Sequence, residues 1–252
     1  MTAAVLEEKS LPGTELVAVP RGIVHIQTQN LTLSRGGRIL FQDMNLTVPR
    51  GKLVSVVGAS GTGKTSLLLA LAGLLQPDSG SVLYYGRDER THLPHAFKHE
   101  IGFVFQELRL VPNTSLLTNV LCGQLGRQKW WKTLFGFSRT HQGAAYELLR
   151  QLGLADLIHR NAGETSGGQQ QRAAIARALM QQPEVVLADE PVANLDADNA
   201  ALVLKLFRRF AAEKGITLVC AMHDMALVDK YSDFVLELNE RNPSAWSLAQ
   251  VR

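Results

Sequence analysis

The sequence predicts an α/β fold: a core that carries a glycine-rich loop, an antiparallel β lobe beside it and an inserted α-helical subdomain. Three observations predict it. An apolar run, a glycine-rich loop and a helical stretch follow one another over residues 53–75. A second apolar run ends in two adjacent acids, Asp189 and Glu190. Short alternating segments lie ahead of the glycine loop, and helical periodicity appears between the loop and the acids.

In chain order, Ile23-Val24-His25-Ile26-Gln27 and Leu31-Thr32-Leu33 are expected as strands around a turn at Asn30. Met44-Asn45-Leu46-Thr47-Val48 alternates like another strand of the same lobe. Leu53-Val54-Ser55-Val56-Val57 is short, apolar and β-branched, so it reads as a buried strand. The loop Gly58-Ala59-Ser60-Gly61-Thr62-Gly63-Lys64-Thr65 fits the spacing G-x-x-x-x-G-K-[ST] at every fixed position. Its glycines, Gly58, Gly61 and Gly63, let N–H groups, that of Ser60 included, turn inward around phosphate oxygens. Lys64 is expected to reach the β- and γ-phosphates and Thr65 to ligate Mg²⁺. Residues 66–75 continue as a helix that Pro77 helps to end, and its N-terminus adds roughly half a positive charge. A glycine turn that merely joins strand to helix would leave the lysine and the hydroxyl unexplained.

Residues about 107–164 are expected as a helical insert, within which Tyr146-Glu147-Leu148-Leu149-Arg150-Gln151-Leu152 has helical periodicity ending near Gly153. Ser166 fits a helix N-cap and Gln169 completes a capping box, so a helix runs to Met180, short of Pro183. Gly167 and Gly168 leave its first turn without bulky side chains, which makes the end a second anion site. Ordinary capping explains the serine and glutamine, but explains the paired glycines less well. The strand through Glu184-Val185-Val186-Leu187-Ala188 then ends in the acids. Adjacent strand residues point to opposite sides, so the two carboxylates are expected to do different work. Asp189 is expected in the Mg²⁺ shell and Glu190 as the group that polarises an attacking water.

Ser-Gly-Gly-Gln-Gln-Gln-Arg, a helix and then Ala-Asp-Glu-Pro resemble the nucleotide-binding subunit of ATP-binding cassette transporters, over roughly residues 22–238. The resemblance implies a P-loop NTPase (RecA-like) core binding ATP and Mg²⁺. It implies two copies paired head to tail, with Ser166, Gly167, Gly168 and Gln169 of one meeting ATP on the other. Phe103-Val104-Phe105-Gln106 resembles the Q-loop, so Gln106 would contact Mg²⁺ or water. Ala193-Asn194-Leu195-Asp196 resembles the D-loop. His223, after the strand Ile216-Thr217-Leu218-Val219-Cys220, would contact the γ-phosphate. Two positions depart from the family pattern. Arg35 stands where an aromatic residue usually stacks on adenine, a place a guanidinium plane can also fill. Thr165 stands where leucine usually precedes the Ser-Gly-Gly.

The resemblance also implies partners: integral membrane permease subunits on which the insert docks, a solute-binding protein acting indirectly, and a peripheral position on the cytoplasmic face of the membrane. Leu116-Leu117-Thr118-Asn119-Val120-Leu121-Cys122-Gly123-Gln124-Leu125-Gly126-Arg127, followed by Trp130-Trp131-Lys132-Thr133-Leu134-Phe135-Gly136, is similar to the ATPase subunit of phosphonate importers. Phosphonates or related oxyanions are therefore the expected cargo, although packing alone would account for each aromatic residue singly. Other cargoes (an amino acid, a metal chelate or a lipid) and export remain open from the chain alone. Soluble relatives acting in DNA repair or on ribosomes usually carry a coiled-coil insert or two cassettes, which are not seen here. A nucleotide-binding scaffold without turnover would need a degraded site, but Lys64, Asp189, Glu190 and His223 are present.

Bulk properties agree. The chain has 252 residues and 46% hydrophobic content, enough for a full α/β core. One domain over residues 22–252 is expected, after a loose tail at residues 1–21. A net charge of +3 gives no strong case for nucleic acid. Cys122 and Cys220 have no metal or redox spacing and suit reduced residues. No stretch is long enough for a membrane span. The first residues have no apolar signal core, so export of the chain itself is not expected, and neither is a regulatory domain after Phe234-Val235-Leu236-Glu237-Leu238.

Overall fold

A computed structural model describes residues 24–86, 91–92, 94–127 and 136–251. The expected tail at 1–21 and the aromatic run at 130–135 lie outside the described residues. Strands β1 (Val24–Arg35), β2 (Arg38–Met44) and β3 (Thr47–Pro49) open the chain. β4 (Leu53–Val57) leads into the phosphate loop and α1 (Lys64–Leu71). β5 (Ser79–Tyr85) and β6 (Thr91–His92) complete an antiparallel sheet in the order β2-β1-β5-β6, with β3 also paired to β1. α2 (Pro94–Phe97) and β7 (Ile101–Val104) follow. Then come the helices α3 (Leu116–Leu121), α4 (Arg139–Gln151) and α5 (Gly167–Met180). The chain ends through β8 (Val185–Asp189), α6 (Ala197–Lys214), β9 (Thr217–Ala221), α7 (Met225–Tyr231), β10 (Phe234–Leu238) and β11 (Trp246–Gln250).

The second sheet has the order β11-β10-β4-β9-β8-β7, parallel throughout except for the β10–β11 hairpin. Its central strands are buried on both faces, as a parallel sheet covered on both sides requires. Alternation divides their side chains. Val54, Val56, Val185, Leu187 and Val219 pack with α1 and the antiparallel lobe. Leu53, Val57, Val186, Ala188, Leu218 and Cys220 pack with α5, α6 and the helical subdomain. Leu116, Val120 and Leu149 of that subdomain are fully buried in one cluster with Ala173 and Ala176 of α5.

A polar seam joins the two sheets. His25 Nδ1 lies 2.6 Å from Thr217 Oγ1, which also accepts from Gly51 N at 2.9 Å. Arg50 Nη1 donates to Glu184 Oε2 at 3.1 Å and Nη2 to the Tyr85 carbonyl.

Three sequence expectations are corrected. The turn at Asn30 is a bulge: Asn30 takes φ 47°, the register to β5 slips between Gln29 and Thr32, and the chain continues as one 12-residue strand. The left-handed residue bends the strand without reversing it. Met44 and Val48 do not share a strand. Asn45 and Leu46 carry the chain from one half of β1 to the other, so β2 pairs beyond the bulge and β3 before it. The helix after the phosphate loop stops at Leu71, not near Pro77, because Gly73 turns left-handed at φ 69°. β11 is an addition that its sequence does not announce, since only Leu248 of the strand is buried.

Phe41 ties the antiparallel lobe to the phosphate loop. It is 2% exposed, and a Cβ on Gly63 would lie 2.8 Å from its ring. Phe41→Ala is expected to cost about 3–5 kcal/mol, read as a lower urea midpoint with an unchanged m-value.

Candidate functional site

β4, β9, β8 and β7 are neighbours and parallel, so their C-terminal ends open on one edge of the sheet. That edge is where α/β sheets bind ligands. The phosphate loop follows β4, His223 follows β9, Asp189 and Glu190 end β8, and Gln106 follows β7. Four chain segments, far apart in sequence, thus end on one edge of the sheet, where Lys64, Thr65, Asp189, Glu190 and His223 interact.

The loop is shaped by its glycines and by its own hydrogen bonds. Gly63, the N-cap of α1, takes φ 99° where Phe41 leaves no space for a side chain. Thr62 closes the loop through Oγ1 to the Ala59 carbonyl at 3.0 Å. Lys64 Nζ donates to the Gly58 and Ala59 carbonyls at 2.8 and 3.0 Å. Its ammonium thus sits within the loop rather than reaching into solvent. Burial pulls it below the usual lysine range, opposed by the charges of Glu190 and Asp189. Ser60, Gly61 and Thr65 are exposed at the rim. Arg35 Nη1 lies 3.4 Å from Ser66 Oγ in the first turn of α1, which puts the guanidinium beside the loop.

The two acids have different surroundings, and the cause is not pleat alternation. Asp189 is the last strand residue and is 4% exposed. Glu190 leaves the strand at φ 51°, a left-handed turn that swings its carboxylate away. Its N–H bonds the Ala221 carbonyl at 3.2 Å, and its Oε1 meets His223 Nε2 at 2.7 Å. Burial raises the Asp189 carboxyl above the usual range, opposed first by a hydrogen bond from Thr65 and then by Lys64. Among the described residues no cluster of three or more His, Cys, Asp or Glu side chains could hold a metal by itself. The Thr65 hydroxyl and Asp189 carboxylate are adjacent hard oxygen donors. They suit a Mg²⁺ ion that takes its remaining ligands from phosphate and water.

The expected second anion site falls on the N-terminus of α5. Ser166 caps it and the capping box with Gln169 is closed both ways, at 2.9 and 3.3 Å. Ser166 and Gly167 are exposed, and a Cβ on Gly167 would meet nothing. Gly168 packs against Asn194 and Leu195. Thr165 bonds locally, its hydroxyl to the Ala162 carbonyl at 2.7 Å. This end makes no described hydrogen bond or ion pair with the loop at 58–65 of the same chain.

Three groups make hydrogen bonds at the site that the sequence does not announce, although Gln171 lies in the expected second cradle and Asn194 in the expected D-loop. Gln171 is 1% exposed and donates to the Glu190 carbonyl at 2.7 Å. Asn194 Nδ2 donates to the same glutamine at 3.3 Å. Arg177 donates to the Arg109 and Leu108 carbonyls at 2.5 and 2.6 Å, fixing the loop beyond Gln106 where both residues are left-handed. The signal for Gln171 is its register, since it shares a helix face with buried Ala174, Ile175 and Ala178.

Asp189 gives a test of site electrostatics. A carboxyl with a raised folded pKa destabilises the fold above that pKa, and contributes nothing below its unfolded value. Asp189→Asn is therefore expected to raise the melting temperature of the nucleotide-free protein by a few degrees near neutral pH. The gain should shrink as pH falls through the ordinary carboxylate range, measured by melts across pH.

The sequence over residues 41–193 matches the family model for the ABC transporter. A phosphonates import ATP-binding protein of Nostoc sp. is 36% identical over 217 residues, 85% of this chain and 89% of the relative. A hypophosphite import ATP-binding protein of Stutzerimonas stutzeri is 36% identical, over 86% of this chain and 65% of the relative. Among solved structures, a dimeric ATP-binding cassette in a post-hydrolysis state, bound to ADP and Pi, aligns with a TM-score of 0.76. It is 27% identical and covers 90% of this chain and 99% of that one. With that match across most of its length, and with the phosphate loop, acids and histidine on one sheet edge, the chain belongs to the ABC transporter family as one of its ATPase domains.

Proposed function

We propose that this chain is the ATP-hydrolysing subunit of an importer for phosphonates or closely related phosphorus oxyanions. The observation that carries the ATPase half is the convergence of Lys64, Asp189, Glu190 and His223 at one sheet edge. The cargo half is supported by the relatives, which include phosphonate and hypophosphite import proteins. The phosphonate itself would be chosen elsewhere, by a solute-binding protein and a membrane channel.

In this reading two copies pair head to tail around two ATP molecules. The loop at 58–65 of one copy holds the phosphates, with Arg35 beside the base. Ser166, Gly167, Gly168 and Gln169 of the other copy close over the γ-phosphate through the helix N-terminus. Thr65, Asp189 and Gln106 would hold Mg²⁺, which would supply charge neutralisation at the phosphates. Glu190 orients a water and takes its proton as the water oxygen bonds to the γ-phosphorus. The bond from that phosphorus to the bridging oxygen breaks, giving ADP and phosphate. His223 holds Glu190 at 2.7 Å and lies exposed at the same edge, where it can donate to the γ-phosphate.

Permease subunits would dock beside the helical subdomain. A groove of about 390 Å³ there includes Leu74, Phe103, Phe105 and Arg177, with Leu74 60% exposed. Among the described residues no helix is long and apolar enough to cross a membrane. A peripheral position on the cytoplasmic face is proposed from the likeness to importer ATP-binding proteins. Residues 22–252 would act as one ATPase unit, with the insert at about 107–164 moving the permeases.

The test is uptake of a labelled aminoalkylphosphonate by cells carrying the chain with its cognate membrane and binding proteins. Lys64→Ala should lower ATP affinity at least about tenfold, roughly 1.4 kcal/mol, and abolish uptake. Absence of uptake with the unmutated chain, while the purified protein hydrolyses ATP, would remove the phosphonate assignment and keep the ATPase.

A further inference from the structure

Gln171 occupies an unusual junction. It is a polar residue, 1% exposed, one turn into α5 from the Ser166 end. Its Nε2 donates to the Glu190 carbonyl at 2.7 Å. Its Oε1 accepts from Asn194 Nδ2 at 3.3 Å. Both polar atoms of the amide are therefore used, and they are used on two different loops. One loop carries the carboxylate that faces His223. The other carries Asn194, whose carbonyl oxygen would lie 3.2 Å from a Cβ on Gly168.

Glu190 needs such a hold. It is not glycine, yet it sits at φ 51°. That conformation costs of order 1–3 kcal/mol and persists only where neighbours over-determine it. Here the N–H is tied to Ala221 and the carbonyl to Gln171, so the peptide groups on both sides of the strained residue are fixed. Fixing them aims the carboxylate. Releasing the carbonyl frees the turn to relax toward an ordinary backbone, which would carry the carboxylate off its line to the water.

We propose that Gln171 is a positioning residue that links the α5 anion site to the Glu190 turn of the same chain. A phosphate captured by Ser166 and Gly167 pulls on the first turn of α5. Gln171 lies on that helix one turn further on, rigidly connected through the backbone ladder. A shift of the helix end is therefore passed to the Glu190 carbonyl and to Asn194. Because the captured phosphate belongs to ATP on the other copy, one copy's second cradle reports to its own water-activating site. The two ATP sites of a pair are then coupled through each chain's own Gln171. The inference rests on the reading of Glu190 as the group that activates water.

Steady-state ATP hydrolysis by purified Gln171→Met tests it, beside Glu190→Gln as the reference. Methionine keeps the volume and removes both hydrogen bonds. The expected result is a kcat lowered about ten- to hundredfold, the loss typical of a misplaced reacting group. KM and ATP affinity should stay within about twofold, since the loop at 58–65 is untouched. The dependence of rate on ATP concentration should lose its cooperativity. Asn194→Ala added to Gln171→Met should cost little more than Gln171→Met alone, because both act through one amide. If Gln171→Met does not fold, Gln171→Glu replaces it, with similar length but a carboxylate where the donor was. Unchanged kcat and cooperativity in the folded variant, with Glu190→Gln inactive, would overturn the positioning role and leave Glu190's role intact. Full turnover by Glu190→Gln would instead overturn the Glu190 reading, and this inference with it.

Discussion

The parallel run β4-β9-β8-β7 is the constraint on which the rest depends. Parallel strands share a direction, so their ends share an edge. Strands in antiparallel order would have sent His223 or the acids to the far side of the core. The hydrophobic division of the sheet enforces this arrangement. Val54, Val56, Val219 and Leu187 face one core, whereas Leu53, Leu218 and Val186 face the other. A one-residue slip of any strand would exchange the two sets and move its terminal functional group out of the site.

Electrostatics supply the second layer. Lys64, Asp189 and Glu190 sense one another at the strand ends, and burial works against the charged forms of Lys64 and Asp189. Such an arrangement is costly in the protein alone. It suits a ligand that brings phosphate oxygens and a divalent cation together, since each then finds an opposite charge. The backbone contributes as much as the side chains, through the loop at 58–65, the capped end of α5 and the left-handed Glu190.

Much of this was legible from the residues. The phosphate loop, the capping box and the acid pair have fixed local spacings, and local spacing survives folding. The order of the strands was not legible, because it is set by contacts between distant segments. Asn30 illustrates the limit: a turn-forming residue served as a bulge because β5 offered a partner on both sides of it. Gly73 was overlooked as a stop because the apolar pattern continues through Leu74 and Leu75. The hydrogen bonds of Gln171, Asn194 and Arg177 are not legible for a common reason, although the first two residues lie in motifs the sequence shows. Each acts by hydrogen bonds to the backbone or side chain of a distant loop, and no sequence spacing encodes that meeting.

In the proposed pairing one ATP joins two copies, held by the loop at 58–65 of one and the Ser166 end of the other. The most direct measurement is the molar mass of Glu190→Gln by sedimentation, with and without saturating Mg-ATP, and again with Ser166→Arg added. Glu190→Gln should be a dimer only when Mg-ATP is present, and a monomer once Ser166→Arg blocks the second cradle. A monomeric Glu190→Gln protein under saturating Mg-ATP, or a dimer indifferent to Ser166→Arg, would contradict it.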